Sequence, residues 1–90
     1  MTTPFEKIDQ KTAHVVVGIG YVGLPLVAEL ARAGFRVTGL DYDREKVRLL
    51  NAGESYIRDV PTADLAPHVK ARTLAATADP AILAEADAVV

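Results

Sequence analysis

A glycine-rich hexamer near the start of the chain is the feature with the clearest chemical meaning. Residues 18–23 read Gly-Ile-Gly-Tyr-Val-Gly and match the pattern G-x-G-x-x-G. Such hexamers also occur by chance, so the neighbouring segments decide how this one is interpreted. The apolar, β-branched run 14–17 before it predicts a short buried strand, and residues 22–33 after it carry apolar side chains at helical spacing. A strand, a glycine loop and a helix in this order are typical of a phosphate-binding turn.

Each glycine of the hexamer has a physical task in such a turn. Gly18 permits a tight turn after the strand, Gly20 lets the backbone approach a pyrophosphate, and Gly23 lets the helix pack closely on the strand. The free N–H groups and the dipole at the start of the helix favour the charge of a phosphate. The side chain of Tyr21 is expected to pack rather than to take part in chemistry. The predicted binding loop comprises Gly18, Ile19, Gly20, Tyr21, Val22 and Gly23.

Two side chains beyond the loop could contact a dinucleotide. Asp41 follows the second predicted strand, roughly twenty residues after the loop, where a carboxylate can accept hydrogen bonds from both hydroxyls of an adenosine ribose. This position predicts NAD as the cofactor, because a 2′-phosphate would meet like charge, although Arg44 close by leaves NADP open. Alternatively, Asp41 or Asp43 caps the following helix. Lys46 on that helix is most simply a solvated side chain that pairs with a neighbouring acid.

The rest of the pattern alternates strands with helices. We predict strands over 14–17, 35–40, 72–77 and 87–90, helices over 22–33, 44–50, 61–69 and 80–86, and a loop over 54–60. This alternation favours a parallel sheet with right-handed crossovers. The predicted fold class is therefore α/β, a Rossmann-like doubly wound parallel sheet of which the chain supplies the N-terminal portion, with about four strands. We place a polar lead at residues 1–12 and the dinucleotide-binding domain at 13–90, truncated on its C-terminal side.

Composition narrows the class of protein. The chain has 90 residues, which allow one small domain or part of a larger one. Hydrophobic residues make up 50% of it, charged residues make up 24% and the net charge is −2, which indicates a globular protein in the cytoplasm. Because ten Lys and Arg are spread along the chain against twelve acids, we expect neither nucleic acid nor a membrane as a partner. The polar N-terminus lacks the apolar core of a signal peptide or a membrane anchor.

Residue types that are absent exclude several kinds of site. The chain has no cysteine, which excludes a disulfide framework, a cysteine-ligated metal and a catalytic thiol within it. His14 and His68 have no partners at ligand spacing and are expected at the surface or at a strand edge, so no metal site is predicted. No catalytic residue is predicted in these 90 positions.

Residues 17–26, Val-Gly-Ile-Gly-Tyr-Val-Gly-Leu-Pro-Leu, resemble the signature that opens UDP-glucose, GDP-mannose and UDP-N-acetylhexosamine 6-dehydrogenases. The Tyr-Val-Gly-Leu-Pro continuation is much more specific than the glycines. Parts of 39–55 and the segment 84–90 are also similar to this nucleotide-sugar dehydrogenase family, so the resemblance covers nearly the whole chain. The branch that acts on UDP-N-acetylglucosamine or a related N-acetyl sugar is favoured by Lys7-Ile8 with Lys11-Thr12-Ala13 and by the segment 55–60, and UDP-glucose stays open.

The resemblance implies a cofactor, a reaction and roles for particular residues. It implies that the backbone of 18–23 cradles the pyrophosphate of NAD, that Asp41 binds the ribose and that Lys46 assists at the same ribose. Complete enzymes of the family oxidise a sugar CH2OH to a carboxylate with two NAD, through a thioester on a cysteine far downstream. The resemblance thus implies a nucleotide-sugar substrate, a homo-oligomeric full-length protein and a role in polysaccharide biosynthesis, with the catalytic residues outside this chain.

Two other classes of protein stay open. Another NAD-dependent dehydrogenase, of the β-hydroxyacid type, could carry the same loop, although Tyr-Val-Gly-Leu-Pro would be unusual for it. A non-catalytic nucleotide-sensing Rossmann module is the second alternative. A reading frame that continued to a downstream cysteine would favour the enzyme, and a chain complete at Val90 would favour the sensor.

Overall fold

The computed structural model describes residues 13–90 and arranges them as alternating strands and helices. The strands are β1 (Ala13–Val17), β2 (Arg36–Leu40), β3 (Leu74–Thr77) and β4 (Ala88–Val89). The α-helices are α1 (Gly23–Arg32), α2 (Arg44–Asn51) and α3 (Ala66–Lys70), and 3₁₀ turns cover Thr62–Asp64 and Pro80–Glu85. The lead predicted at 1–12 lies outside the described residues.

The strands form one parallel sheet with the order β3-β2-β1-β4. The register of β1 against β2 sets His14 opposite Val37 and Val16 opposite Gly39. The chain moves outward from β1 through β2 to β3 and then returns to β4 on the other side of β1. This reversal is a topological switch point, and ligands of open α/β sheets bind there, beyond the carboxyl ends of the strands. The predicted Rossmann-like fold is confirmed.

The main core lies between one face of the sheet and the helices α1 and α2. Because side chains alternate across a strand, Val16, Val37 and Leu74 point to this shared face, and each is at most 2% exposed. Helix α1 packs on β1 and β2 and contributes the fully buried Leu24 and Val27, while α2 packs on β3. Each such side chain contributes roughly 1.5–3 kcal/mol when it leaves water. This packing fixes the start of α1 beyond the carboxyl end of β1.

The opposite face of the sheet is covered only in part. The 3₁₀ turn Pro80–Glu85 packs against β1, where Val15 is 2% exposed. Val17 and Val89, by contrast, are 54% and 56% exposed. Residues 13–90 therefore leave apolar side chains of this face open to solvent.

The outer edge of β3 is occupied by a side chain from α2. The Asn51 amide accepts a hydrogen bond from the N–H of Ala76 at 2.7 Å and donates one to the carbonyl of the same residue at 3.0 Å. Asn51 thereby pairs with β3 as a neighbouring strand would, and it ties the end of α2 to the sheet.

Several elements in the second half of the chain differ from their predicted type or bounds, and the helix predicted over 80–86 is a 3₁₀ turn over Pro80–Glu85. The helix predicted over 61–69 is broken into a 3₁₀ turn and α3. Pro67 causes the break, because it has no N–H to donate to the carbonyl of Ala63 and its ring would collide with that carbonyl in a continuous helix. The strand predicted from residue 72 begins at Leu74, because Arg72, with a φ of 64°, closes α3 in the left-handed conformation.

His14 lies inside the fold, so its predicted position at the surface or at a strand edge is wrong. Its side chain is 7% exposed, and its ring centroid lies 4.7 Å from that of Phe35. His14 shares the face of β1 on which Val16 packs into the core, and β1 lies inside the sheet rather than at its edge, so the His14 side chain is buried. A lone histidine gives no sequence signal for the position of its strand in the sheet.

Candidate functional site

The glycine loop runs from the carboxyl end of β1 to the start of α1. Gly18 has a φ of +85°, which L side chains rarely adopt, and its N–H donates to the carbonyl of Leu40 at 2.7 Å. A Cβ on Gly23 would lie 1.6 Å from the carbonyl oxygen of Gly18. A Cβ on Gly20 would meet the ammonium of Lys46 at 3.8 Å and no other described atom within 4 Å. The fold itself therefore requires the first and last glycines, whereas the space beside Gly20 is open.

Within residues 13–90, no side chain caps the start of α1. Val22 occupies the N-cap position without a side-chain hydrogen bond, and the first turn contains no acidic residue. Tyr21 and Val22 are 83% and 84% exposed, so the predicted packing of the Tyr21 side chain is wrong. Backbone N–H groups and the positive end of the helix dipole meet at this terminus. An anion can therefore approach it without displacing a side chain.

Asp41 lies beyond the carboxyl end of β2 and contacts the loop. Its Oδ2 accepts a hydrogen bond from the N–H of Ile19 at 3.0 Å, and its Oδ1 accepts one from the N–H of Asp43 at 2.9 Å. The helix cap is Asp43, whose carboxylate accepts from the N–H groups of Glu45 and Lys46. Of the two acids considered as caps, the structure therefore assigns the cap to Asp43. Each oxygen of the Asp41 carboxylate can still accept a further hydrogen bond.

The carboxyl group of Asp41 is ionised at neutral pH. Burial opposes its charge, but the backbone N–H groups of Asp43 and Ile19 and the ammonium of Lys46 together lower the pKa of Asp41 below its ordinary value. The Nζ atom of Lys46 lies 3.9 Å from Oδ2 of Asp43, the ion pair expected from their spacing, and it also borders the open space beside Gly20. A carboxylate and an ammonium thus stand next to each other along the loop.

Two apolar crevices flank the loop at the switch point. The crevice on the β2 side is lined by Val17, Gly18, Leu40, Asp41, Tyr42, Pro80 and Leu83. The crevice on the β4 side is lined by Val16, Val17, Gly18, Gly20, Tyr21, Val22, Gly23, Leu26 and Val90. Because both crevices meet at Gly18, an elongated ligand could place one end in each and its middle over the loop.

Tyr56 and Gly39 also belong to this site, although the sequence pattern did not single them out. The Tyr56 hydroxyl donates to the carbonyl of Ile19 at 2.6 Å. Burial raises the pKa of Tyr56, and the charges of Asp41 and Asp43 add to the effect, so the hydroxyl keeps its proton. A Cβ on Gly39 would lie 2.6 Å from Cγ2 of Ile19, so this glycine makes room for the loop. Tyr56 follows its partner by 37 residues in a segment without periodicity, where no local signal points to the contact.

The predicted site residues all lie in the loop or against it. Within residues 13–90, no group of three or more His, Asp or Glu side chains is placed to hold a metal ion. Over the same residues, the helices are too short or too polar to cross a membrane.

The chain is similar to a known protein family and to several of its characterised members. The model for the UDP-glucose/GDP-mannose dehydrogenase family, NAD binding domain, matches residues 12–90. The UDP-N-acetyl-D-mannosamine dehydrogenase of Campylobacter jejuni is 36% identical over 76 residues, which are 77% of this chain and 18% of that protein. The protein of the same name from Methanococcus aeolicus is 43% identical over 44 residues, or 49% of this chain and 10% of that protein.

Solved structures show the same relationship. A UDP-glucose dehydrogenase from the hyperthermophilic archaeon Pyrobaculum islandicum superimposes with a TM-score of 0.78 at 28% identity, over 88% of this chain and 19% of that one. GDP-mannose dehydrogenase from Pseudomonas aeruginosa, solved as a ternary complex, gives a TM-score of 0.70 at 31% identity, over 73% of this chain and 15% of that one. The chain spans less than a fifth of the length of these relatives.

Proposed function

The chain belongs to the UDP-glucose/GDP-mannose dehydrogenase family as its NAD-binding domain, and from this premise we propose which residues hold NAD and what the whole protein does. NAD accepts a hydride when it is bound, and the task of this domain is to hold and orient it. The family match favours a nucleotide-sugar dehydrogenase over the β-hydroxyacid and sensor alternatives. The geometry of the loop indicates which residues contact each part of NAD.

The pyrophosphate of NAD lies against the backbone of residues 18–23. Two observations support this position. Among the described atoms, only the Lys46 ammonium borders the space beside Gly20. No described side chain caps the helix that starts at Gly23. Exposed N–H groups at a helix start are a ready anion site. The loop therefore satisfies the charge of two phosphates with backbone donors and a single lysine.

The adenosine ribose is bound by Asp41, and this carboxylate is the observation that carries the proposal. The N–H of Ile19 holds it against the loop, its lowered pKa keeps it ionised, and both of its oxygens can accept further hydrogen bonds. The adenine then lies in the crevice on the β2 side, and the nicotinamide lies in the crevice on the β4 side, beside Tyr21 and Val22. Lys46 contacts the same ribose or the adjoining phosphate.

For the whole protein we propose oxidation of the CH2OH group of a UDP-N-acetylhexosamine to a carboxylate with two NAD. The names of the Campylobacter and Methanococcus relatives favour an N-acetyl sugar over glucose. We propose that the enzyme lies in the cytoplasm and that its product is used in polysaccharide biosynthesis. The full-length protein is proposed to be a homo-oligomer. The acid–base groups and the thiol for this oxidation come from outside these 90 residues, which contain no cysteine.

The assignment of Asp41 is tested by calorimetric titration of the full-length protein with NAD and with NADP. Wild type should prefer NAD, and Asp41→Ala should weaken NAD binding by about 1–3 kcal/mol, the scale of hydrogen bonds to a charged group. Asp64→Ala is the matched control, because it removes the same charge from an exposed carboxyl group outside the loop. Equal wild-type affinity for the two cofactors would refute the assignment, as would an Asp41→Ala variant that binds NAD like the control.

A further inference from the structure

The peptide groups on both sides of Ile19 are held by distant parts of the chain. Its N–H donates to Asp41 at 3.0 Å, and its carbonyl accepts from the Tyr56 hydroxyl at 2.6 Å. Its side chain is fully buried, in the room that Gly39 leaves. This residue cannot turn without breaking contacts to β2 and to the segment that contains Tyr56.

The carbonyl of Ile19 and the N–H of Gly20 belong to the same peptide group. In a planar trans peptide the carbonyl and the N–H point in opposite directions. The peptide bonds of residues 13–90 are all trans. A hydrogen bond that draws the Ile19 carbonyl toward Tyr56 therefore turns the Gly20 N–H away from Tyr56. Within residues 13–90, the Gly20 N–H has no hydrogen-bond acceptor.

The preceding peptide group follows the same rule. In that group the N–H of Ile19 points to Asp41. The carbonyl of Gly18 points the other way, toward the Cα of Gly23. The side chains of Asp41 and Tyr56 thus orient two successive peptide groups of the loop.

We propose that Tyr56 is a positioning residue for the cofactor: by donating to the Ile19 carbonyl, its hydroxyl aims the N–H of Gly20 at the pyrophosphate. The inference rests on the proposed function, in which this loop holds NAD. The hydrogen bond has a second effect, because a peptide whose carbonyl accepts a hydrogen bond is polarised and becomes a better N–H donor. Tyr56 therefore sets both the direction and the strength of the donor, while its own hydroxyl is occupied by Ile19.

The test compares Tyr56→Phe with Thr73→Val in the full-length protein. Tyr56→Phe keeps the ring, which packs against the core, and removes only the hydroxyl. Thr73→Val removes a similar donor, since the Thr73 hydroxyl bonds the carbonyl of His68 at 3.2 Å at the opposite end of the sheet. In urea unfolding both variants should lose a similar amount of stability. In calorimetry only Tyr56→Phe should lose NAD affinity, with a dissociation constant raised about tenfold, the scale of one net hydrogen bond.

A spectroscopic measurement on the wild type follows the peptide group itself. Ile19–Gly20 is the one Ile-Gly sequence in these 90 residues, so 13C-carbonyl isoleucine combined with 15N-glycine marks it selectively. If the full-length protein contains another Ile-Gly pair, its signal remains in the Gly20→Ala variant, whereas the Ile19–Gly20 signal disappears. Addition of ADP should shift the Gly20 amide proton downfield in wild type, and the shift should shrink in Tyr56→Phe.

The outcomes separate the inference from the proposed function. If wild type binds no NAD, the proposed function fails and the inference fails with it. If wild type binds NAD and Tyr56→Phe binds it equally well, or if Thr73→Val loses as much affinity as Tyr56→Phe, the inference alone is overturned. Should Tyr56→Phe not fold, the wild-type spectrum decides, because a Gly20 amide that ADP leaves unshifted contradicts the proposed aim.

Discussion

Replacing two glycines of the same loop by alanine should separate folding from binding. Gly23→Ala would place a methyl group 1.6 Å from the carbonyl oxygen of Gly18 and 2.7 Å from its carbonyl carbon. Both are backbone atoms of a turn with a φ of +85°, so they cannot move without displacing the end of β1. Gly20→Ala would meet only the flexible end of Lys46 among the described atoms, at the ordinary distance of 3.8 Å.

The expected loss of stability follows from two opposing effects. Alanine favours a helix over glycine by at most roughly 1 kcal/mol, whereas overpacking typically costs about 1–3 kcal/mol and more where backbone must shift. We therefore expect Gly23→Ala to lower the free energy of unfolding by about 2–3 kcal/mol.

Urea unfolding and NAD calorimetry on the full-length protein measure the two effects. Gly20→Ala should stay within about 0.5 kcal/mol of wild type in stability, yet lose at least about tenfold in NAD affinity, because its methyl group occupies the approach of the pyrophosphate. Gly23→Ala should unfold at clearly lower urea. A Gly23→Ala variant as stable as wild type would refute the close approach, and equal stability losses in both variants would refute the distinction between the two positions.

Three further outcomes follow from charge and exposure. Since the pKa of Asp41 is lowered in the folded state, its ionised form stabilises the fold above the unfolded pKa of about 4, and this contribution is lost as the pH falls through the folded pKa. The unfolding free energy of wild type should therefore drop more steeply below about pH 4 than that of Asp41→Asn, and parallel pH profiles would contradict this. The 90-residue chain should self-associate in sedimentation, because Val17, Val89 and Val90 are more than half exposed, and a monomer at about 100 µM would contradict it. The same chain should produce no NADH from a UDP-sugar, because the acid–base groups of the proposed oxidation, like its thiol, come from outside these 90 residues, and a sustained rise in absorbance at the NADH band would count against this.

The sequence alone predicted the first βαβ unit and where the residues of the candidate site lie within it. The strand before the loop, the helix after it and the placement of Asp41 beyond β2 depend on local periodicity and on glycines with identifiable tasks. The break at Pro67 could also have been predicted from its missing N–H. What the pattern could not predict are contacts between distant segments. Tyr56 reaches Ile19 across 37 residues, and Asn51 reaches Ala76 across 25.

Among residues 13–90, the pairing of Asn51 with Ala76 covers one edge of the sheet, and β4 forms the other edge. The N–H and the carbonyl of Ala76 that face away from β2 are the groups that an added strand would use, and a side-chain amide already occupies both. A strand arriving beside β3 would have to displace that bidentate pair, whereas β4 stands at the other end of the sheet order. A further strand should therefore add beside β4 more readily than beside β3. A single asparagine thus hinders the addition of a strand at the β3 edge of the sheet, because its amide occupies the backbone groups that the strand would need.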